Sequence, residues 1–230
     1  MKERYTLKEL IKTCKLFSQP YATIAADYIS EFEYPWEVLR GIKEYILKIG
    51  QTLDKEKFFS PSEGIWIARS AVVFSSAYIG GPCIIDEGAE VRHCAFIRGS
   101  AIVGKNCVVG NSTELKNVIL FDGVQVPHFN YVGDSVLGYR SHMGAGSITS
   151  NVKSDKSIVH IKSADGSDID TGLKKFGAIL GDFVEVGCNS VLNPGTVIGK
   201  HVNIYPTSCV RGFIHENSIY KDKENIIDKY

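Results

Sequence analysis

Residues 97–115, IRGSAIVGKNCVVGNSTEL, place an aliphatic residue at every sixth position, namely Ile97, Val103, Val109 and Leu115. The residue after the aliphatic one is often glycine, and the fifth position of each hexapeptide is small. A six-residue period is neither the 3.6-residue period of a helix nor the two-residue period of an ordinary strand. It is typical of a solenoid that is built from hexapeptide repeats.

The same period extends in both directions from this stretch. Two steps of five residues, before Leu120 and before Leu137, shorten it without ending it. The aliphatic positions outside the opening stretch are Ile79, Ile85, Val91, Leu120, Val126, Val132, Leu137, Met143, Thr149, Leu180, Val186, Leu192, Ile198, Ile204 and Val210. A register kept over this length predicts one continuous repeat domain.

The repeat predicts a mainly β fold, a parallel β-helix of triangular cross-section. Each hexapeptide supplies a short strand and a corner, three hexapeptides make one coil, and stacked coils bury the aliphatic stripe. Cys83 and Cys107 occupy the small fifth position, so we expect both thiols inside the prism.

Three segments depart from the repeat. Residues 1–60 are predicted to be helical, because Thr6 to Glu9 form a capping box and Pro35 can open a further helix. We expect this segment to cap the open edge of the first coil. The repeat domain then spans 61–215, with a polar insertion at about 152–176, and residues 216–230 are expected to form a tail or a short helix.

Composition excludes several classes of protein. Lys plus Arg and Asp plus Glu both number 26, so no net charge favours nucleic acid or an anionic membrane. The stretch MKERYTLKEL has no apolar h-region and no cleavage site, so we expect no secretory signal, and no apolar run is long enough to cross a bilayer. The six cysteines form no C-x-x-C pair, so we expect reduced thiols in a cytoplasmic protein.

The coil length predicts a cluster of polar side chains on the outside of the prism. Residues 17 or 18 apart stack in successive coils, at about 4.8 Å per coil. This spacing relates Arg98 to Lys116, and Glu114 to Tyr131, while His128 lies three residues before Tyr131. Asn151 lies 18 residues after Gly133, so it follows one coil after the strand of Tyr131. We expect these side chains to gather along one edge, as an anion site beside a His–Glu pair.

Each member also has a plainer interpretation, since polar residues on the outside of a solenoid are usually only solvated. A zinc site of the carbonic-anhydrase type needs two histidines five residues apart, and position 133, five after His128, is glycine. His142 and His160 do not restore that spacing, so we expect no metal site.

From Arg98 to Asn151 the chain resembles the acetyltransferase domain of the bifunctional N-acetylglucosamine-1-phosphate uridyltransferase/glucosamine-1-phosphate acetyltransferase family. The runs VGNSTELKN, VPHFNYVGDSVLG and GAGSITSN carry the resemblance. The later run TGLKKFGAILGDFVEVGCNSVLNPGTVIG is similar to archaeal sugar-1-phosphate nucleotidylyltransferase/acetyltransferase relatives. The likeness covers about residues 65–215. It implies a left-handed β-helix and a homotrimer with active sites between subunits.

The resemblance also implies roles for single residues. His128 would be the general base for acetyl transfer from acetyl-CoA to an amino-sugar 1-phosphate, oriented by Glu114. Asn151 would be a third catalytic residue, which places the sugar together with Tyr131. The residues implied in substrate binding are Arg98, Lys116, Tyr131, His142 and Lys156. The residues implied in acetyl-CoA binding are Ala145, Cys188 and Pro206.

The chain departs from the family in two respects. It contains no Gly-rich loop of the G-T-R-M type, so we expect no uridyltransferase or pyrophosphorylase activity. His142 stands where the family usually has Asn, which leaves glucosamine-1-phosphate and galactosamine-1-phosphate both open. A nucleotide sugar as acyl acceptor also stays open, as does a non-catalytic trimer that binds a sugar nucleotide and partners a separate nucleotidyltransferase.

Overall fold

The computed structural model describes residues 5–229. Short parallel strands form three columns, which we name faces A, B and C in the order in which each coil visits them. Face A contains β4 (Tyr78–Ile79), β7 (Phe96–Ile97), the start of β10 (Glu114–Leu120), the start of β12 (Tyr131–Leu137), β14 (Ile148–Thr149), β19 (Val191–Leu192) and β22 (Cys209–Val210). Face B contains β2 (Ile65–Ala68), β5 (Cys83–Ile85), β8 (Ala101–Val103), the ends of β10 and β12, β17 (Ala178–Leu180), β20 (Thr196–Ile198) and β23 (Phe213–Ile214).

Face C completes each coil. It contains β3 (Val72–Val73), β6 (Glu90–Val91), β9 (Val108–Asn111), β11 (Gln125–His128), β13 (His142–Met143), β18 (Glu185–Val186), β21 (Asn203–Ile204) and β24 (Ser218–Asp222). The predicted parallel β-helix is confirmed. The two five-residue steps of the repeat fall where β10 and β12 run around the corner between faces A and B without a break.

The aliphatic stripe forms the interior of the prism. Successive coils pair in parallel, with Ile97 beside Leu115 and Leu115 beside Val132. These residues are fully buried, and so are the thiols of Cys83 and Cys107. Burial raises the pKa of the Cys83 thiol to about 12 and also raises that of Cys107, because the interior disfavours a thiolate. Both cysteines therefore act as small apolar side chains, as predicted.

Face B is buried on its outer side as well. Residues at the middle of its strands, such as Ile84, Ile102 and Ile119, point away from the interior, yet none of them is exposed. The N-terminal segment covers them with α1 (Leu7–Leu10), α2 (Thr13–Leu16), α3 (Ala26–Ser30), a 3₁₀ helix (Glu37–Arg40) and α4 (Ile42–Gly50). Strands buried on both sides carry continuous apolar runs, which is why CII, AIV and VIL occur here.

Contacts at both corners of face B hold this segment in place. Phe17 packs against Phe121 at 4.6 Å between ring centroids, and the Ser18 amide donates to Asp182 at 2.7 Å. At the other corner, Asn117 donates to the Leu39 carbonyl at 3.1 Å. The predicted N-terminal helices are present between Leu7 and Gly50, but the expectation that they cap the first coil is wrong. They lie along the side of the prism, because face B presents the larger apolar surface.

Antiparallel strands cover an edge at each end of the prism. β1 (Phe58–Phe59) pairs with β2 at the first coil, and β25 (Asn225–Asp228) pairs with β24 at the last. The tail at 216–230 therefore holds two strands, and the expected short helix is wrong. The apolar residues Ile219, Ile226 and Ile227 explain this, since β-branched side chains favour paired strands.

The insertion at 152–176 is structured. It forms the hairpin of β15 (His160–Lys162) and β16 (Asp168–Asp170). Its end returns to the prism at Phe176, whose ring stacks on Trp36 of the N-terminal segment. No helix within residues 5–229 is long and apolar enough to cross a membrane.

Replacing Phe17 by Ala is expected to lower the free energy of unfolding by about 3–5 kcal/mol. Its ring is fully buried between the N-terminal segment and face B, so the smaller side chain leaves a cavity. Urea unfolding of Phe17→Ala and of Phe59→Ala, an exposed phenylalanine, would measure the difference. Equal unfolding midpoints for the two variants would contradict the packing described.

Candidate active site

Face A presents the polar cluster predicted from the spacing. Register places Arg98 beside Lys116 and Glu114 beside Tyr131 on neighbouring strands. Arg98 Nη1 donates to Glu114 Oε1 at 2.8 Å, and this pair is partly exposed. Lys116 Nζ lies 3.5 Å from Asp134 Oδ2. Each of the two stacked cations therefore has a carboxylate partner within the same chain.

Asp134 is the buried centre of this region. Its carboxylate accepts hydrogen bonds from Asn117 Nδ2, at 2.9 Å, and from Asn151 Nδ2, besides the contact with Lys116. The Asp134 side chain is only 6% exposed, whereas that of Lys116 is 29% exposed. Asn117 also holds the N-terminal segment through Leu39. One carboxylate thus links face A, the next coil and, through Asn117, the helices on face B.

Tyr131 lies flat along face A. A Cβ at position 133 would come within 2.5 Å of the Tyr131 hydroxyl oxygen, so Gly133 leaves room for the ring. Burial raises the pKa of the Tyr131 hydroxyl, and the carboxylates of Asp134 and Glu114 act in the same direction. The phenol therefore remains a neutral hydrogen-bond donor at physiological pH.

His128 lies at the corner where face C meets face A. Its backbone amide donates to Asn130 Oδ1 at 3.1 Å. The Asn130 amide group, which is buried, donates to the carbonyls of Gly144 and Ser147 in the next coil at 2.9 and 3.0 Å. The corner is thus fixed from behind while the imidazole faces outward. Within residues 5–229 the His128 ring has no hydrogen-bond or ion-pair partner, and Glu114 holds Arg98 instead.

The predicted acetyl-CoA residues continue the His128 corner. Register along face C relates residue 125 to 142, 142 to 185 and 185 to 203. Three residues further on, the same steps align His128, Ala145, Cys188 and Pro206 in one column. The Ala145 amide donates to no acceptor in the described part of the chain, while the following amide, of Gly146, donates to His128 O. This column is an exposed track that starts at the imidazole and runs along the prism axis.

Two predicted substrate residues lie away from face A. His142 is on face C, where its Nδ1 is 2.8 Å from Glu185 Oε2. Lys156 is on an exposed turn at the start of the insertion, and its side chain contacts none of the cluster within the described residues. Neither joins Arg98, Lys116 or Tyr131 within a single chain.

The predicted cluster therefore spans one face and its two corners, not one edge. Arg98, Glu114, Lys116 and Tyr131 occupy face A, while His128 lies at one corner and Asn151 at the other. Sequence reasoning missed Asp134 and Asn130. Asp134 had a signal, since it lies 17 residues from both Asn117 and Asn151, in the same column. Among the described residues, no group of three or more His, Cys, Asp or Glu side chains could hold a metal ion.

Comparison with known proteins connects this site to a family. A family model described as the GMPPB C-terminal domain matches residues 79–215. The chain belongs to this family. The match within the GMPPB C-terminal domain family covers the whole cluster from Arg98 to Asn151 and the corner column up to Pro206.

Curated relatives confirm the resemblance seen in the sequence. The bifunctional protein GlmU of Methanococcus maripaludis is 32% identical over 229 residues, which cover 97% of this chain and 54% of that protein. The bifunctional sugar-1-phosphate nucleotidylyltransferase/acetyltransferase of Sulfurisphaera tokodaii is 33% identical over 106 residues, 46% of this chain and 26% of that protein. The chain thus spans about half the length, or less, of these relatives.

Solved structures are more distant. A hexapeptide transferase family protein from Anaplasma phagocytophilum aligns with a TM-score of 0.39 at 12% identity. The alignment covers 72% of this chain and 80% of that one.

Replacing Asp134 by Ala is expected to lower the free energy of unfolding by about 1–3 kcal/mol, because the partly buried amides of Asn117 and Asn151 lose the acceptor that they share. Thermal unfolding would measure the change. Asp228→Ala is the control, since that carboxylate is 75% exposed and its ion pair among residues 5–229 is with His215 at 3.6 Å. If both variants melt at the wild-type temperature, Asp134 does not organise the corner.

Proposed function

We propose that the protein is an N-acetyltransferase that moves the acetyl group of acetyl-CoA to the amine of an amino-sugar 1-phosphate. Glucosamine-1-phosphate and galactosamine-1-phosphate are the two candidate acceptors, and the product would enter nucleotide-sugar metabolism of the UDP-N-acetylglucosamine type. The observation that carries the proposal is the outward imidazole of His128 beside the Arg98, Lys116 and Tyr131 face, in a chain related to proteins named as acetyltransferases.

His128 suits the role of general base. Its ring is exposed and unpaired within the described residues, so it is free to receive a proton. The sugar nitrogen would form a bond to the thioester carbonyl carbon, and the carbon–sulfur bond would break. The amine proton would pass to His128 and then to the leaving thiolate of coenzyme A. The unused Ala145 amide could donate to the oxyanion of the tetrahedral intermediate.

The cations suit the anomeric phosphate. Arg98 uses one of its five N–H donors on Glu114, so others remain for phosphate oxygens. Lys116 stays 29% exposed while its ammonium lies 3.5 Å from the buried Asp134 carboxylate, so it has donors left for a second anion. Tyr131 and Asn151 would contact the sugar. Glu114 would orient the His128 imidazole. It would do so either while it keeps its contact with Arg98, or after Arg98 has moved from Glu114 to the bound phosphate.

A homotrimer would complete the site. His128 and Asn151 lie at opposite corners of face A, and His142 lies on face C. If a corner of one subunit packed against face A of the next, these groups would come together. Exposed aromatic residues support contact there, since Tyr78 and Phe129 are both 62% exposed on or beside face A. Such an interface would remove their rings from water.

His128→Ala is expected to lower kcat about 10²- to 10⁴-fold, because the amine loses its proton acceptor. Release of free thiol from acetyl-CoA, with glucosamine-1-phosphate or galactosamine-1-phosphate, measures the rate. His93→Ala is the control, since His93 lies on the same corner two coils earlier and donates to or accepts from Ser76 at 2.8 Å.

Two results would count against acetyl transfer. One is the absence of turnover on both sugars by the wild-type chain. The other is equal activity of His128→Ala and His93→Ala. Calorimetry that detects binding of UDP-N-acetylglucosamine but not of acetyl-CoA would favour the non-catalytic binder that partners a separate nucleotidyltransferase.

Arg98→Met and Lys116→Met are each expected to raise the KM of the sugar phosphate about 10-fold, through loss of a charged hydrogen bond. The KM of unphosphorylated glucosamine should remain unchanged. Arg92→Met provides the control, because Arg92 forms a similar pair with Glu90 at 3.0 Å on face C. An equal change in KM for both acceptors would show that these cations do not bind phosphate.

A further inference from the structure

The hairpin of the insertion lies tightly against the corner between faces A and B. Val159, directly before β15, and Ile161, within it, are fully buried, so His160 and Lys162 lie on the opposite side of the strand. A Cβ at Gly195 would come within 2.9 Å of His160 O, and one at Gly212 within 2.2 Å of Lys162 O. This close backbone contact fixes where the two side chains stand relative to the prism.

A polar pocket of about 370 Å³ lies between the hairpin and face A. We name it the hairpin pocket and define it by Lys153, His160, Lys162, Asn193 and Arg211. Its volume is in the range of small-ligand sites. None of these residues belongs to the cluster around His128.

The hairpin pocket continues the column of cations on face A. Arg98 and Lys116 each follow the inward aliphatic residue of their strand, and Asn193 and Arg211 occupy the same position in later coils. From Lys116 to Arg211 the column advances by four coils, or about 19 Å. The pocket and the cluster therefore face the same side of the molecule.

The cations of the hairpin pocket differ from those of the His128 cluster in how they are paired. Arg98 and Lys116 each have a carboxylate partner, whereas Lys162 has none among the described residues. Arg211 contacts only the amide oxygen of Asn193, at 3.4 Å, within the part of the chain that the structure describes.

One carboxylate lines the pocket. Asp155 lies 3.7 Å from Lys153 and accepts hydrogen bonds from the amide and hydroxyl of Ser157. At the edge, the Asp168 carboxylate contacts His160 Nδ1 at 2.7 Å. The cations of the pocket thus outnumber its carboxylate, and two of them have no acidic partner.

We propose that the hairpin pocket binds the phosphate groups of a nucleotide whose reacting end lies at the His128 cluster. The inference rests on the proposed acyl transfer and adds a second anchoring point to it. Lys and Arg side chains without an acidic partner can form charged hydrogen bonds to phosphate oxygens, and Arg can do so with two donors at once. The nucleotide could belong to the acyl donor, coenzyme A, or to a nucleotide-sugar acceptor, and the experiment distinguishes them.

The test compares binding to the full-length chain by calorimetry. In Lys162→Met/Arg211→Met, the Kd of coenzyme A or of UDP-N-acetylglucosamine is expected to rise about 10- to 100-fold, with the loss of two charged contacts. Lys105→Met is the control, because Lys105 lies at the corner between faces B and C and is near Glu87 at 3.8 Å. Lys162, Arg211 and Lys105 are all exposed, so these substitutions should not disturb the core. Unchanged thermal unfolding would show that the variants fold.

The ligands identify the source of the phosphate. Coenzyme A, dephospho-coenzyme A and UDP-N-acetylglucosamine are titrated in turn. A larger Kd for coenzyme A alone assigns the pocket to the donor, and loss of that effect with dephospho-coenzyme A assigns it to the 3′-phosphate. A larger Kd for UDP-N-acetylglucosamine alone assigns the pocket to the acceptor.

The outcome is separable from that of the proposed function. Wild-type affinity of the double variant for all three ligands overturns the pocket, even if the chain turns over acetyl-CoA. Failure of the wild-type chain to bind any of them overturns it as well. Binding that depends on the pocket, without turnover on either amino sugar, would keep the pocket and remove the acetyltransferase.

Discussion

The in-register pairing of successive coils is the constraint on which this structure depends. Coils before the insertion advance by 17 or 18 residues, the coil that contains the insertion by 43 and the last by 16, yet the paired strands keep one register throughout. A slip of one residue would turn the buried stripe outward, as in any strand with one buried side. The columns on the outside, including the one that runs from His128 through Ala145 and Cys188 to Pro206, are therefore consequences of the buried stripe inside.

Much of this was predictable because periodicity is a property of the backbone path. Spacing alone placed Arg98 beside Lys116 and Glu114 beside Tyr131, and it assigned Cys83 and Cys107 to the interior. It could not predict which partner each side chain chooses. Glu114 binds Arg98, and Lys116 approaches a buried Asp134, since those choices depend on side-chain rotamers and local burial.

The position of the N-terminal segment was predictable from the residues on the outside of face B. The outward column of face B contains Ile84, Ile102, Ile119, Val136 and Ile179, whereas that of face A contains Phe96, Glu114 and Tyr131. An apolar outer column requires a cover, and the helices provide it. The tail was misread for a different reason. A short run of isoleucines between charged residues fits a helix or a strand, and only the free edge of β24 decides between them.

The spacing of the coils also fixes distances along the prism. Because the chain can place an outward group only in whole coils, the separation of two sites on one face changes in steps of about 4.8 Å. The insertion leaves and re-enters the prism at one corner, so its length alters no step on either side of it. The distance between groups that contact a long ligand is thus set by a count of coils, while the hairpin can vary in sequence and length without changing that distance.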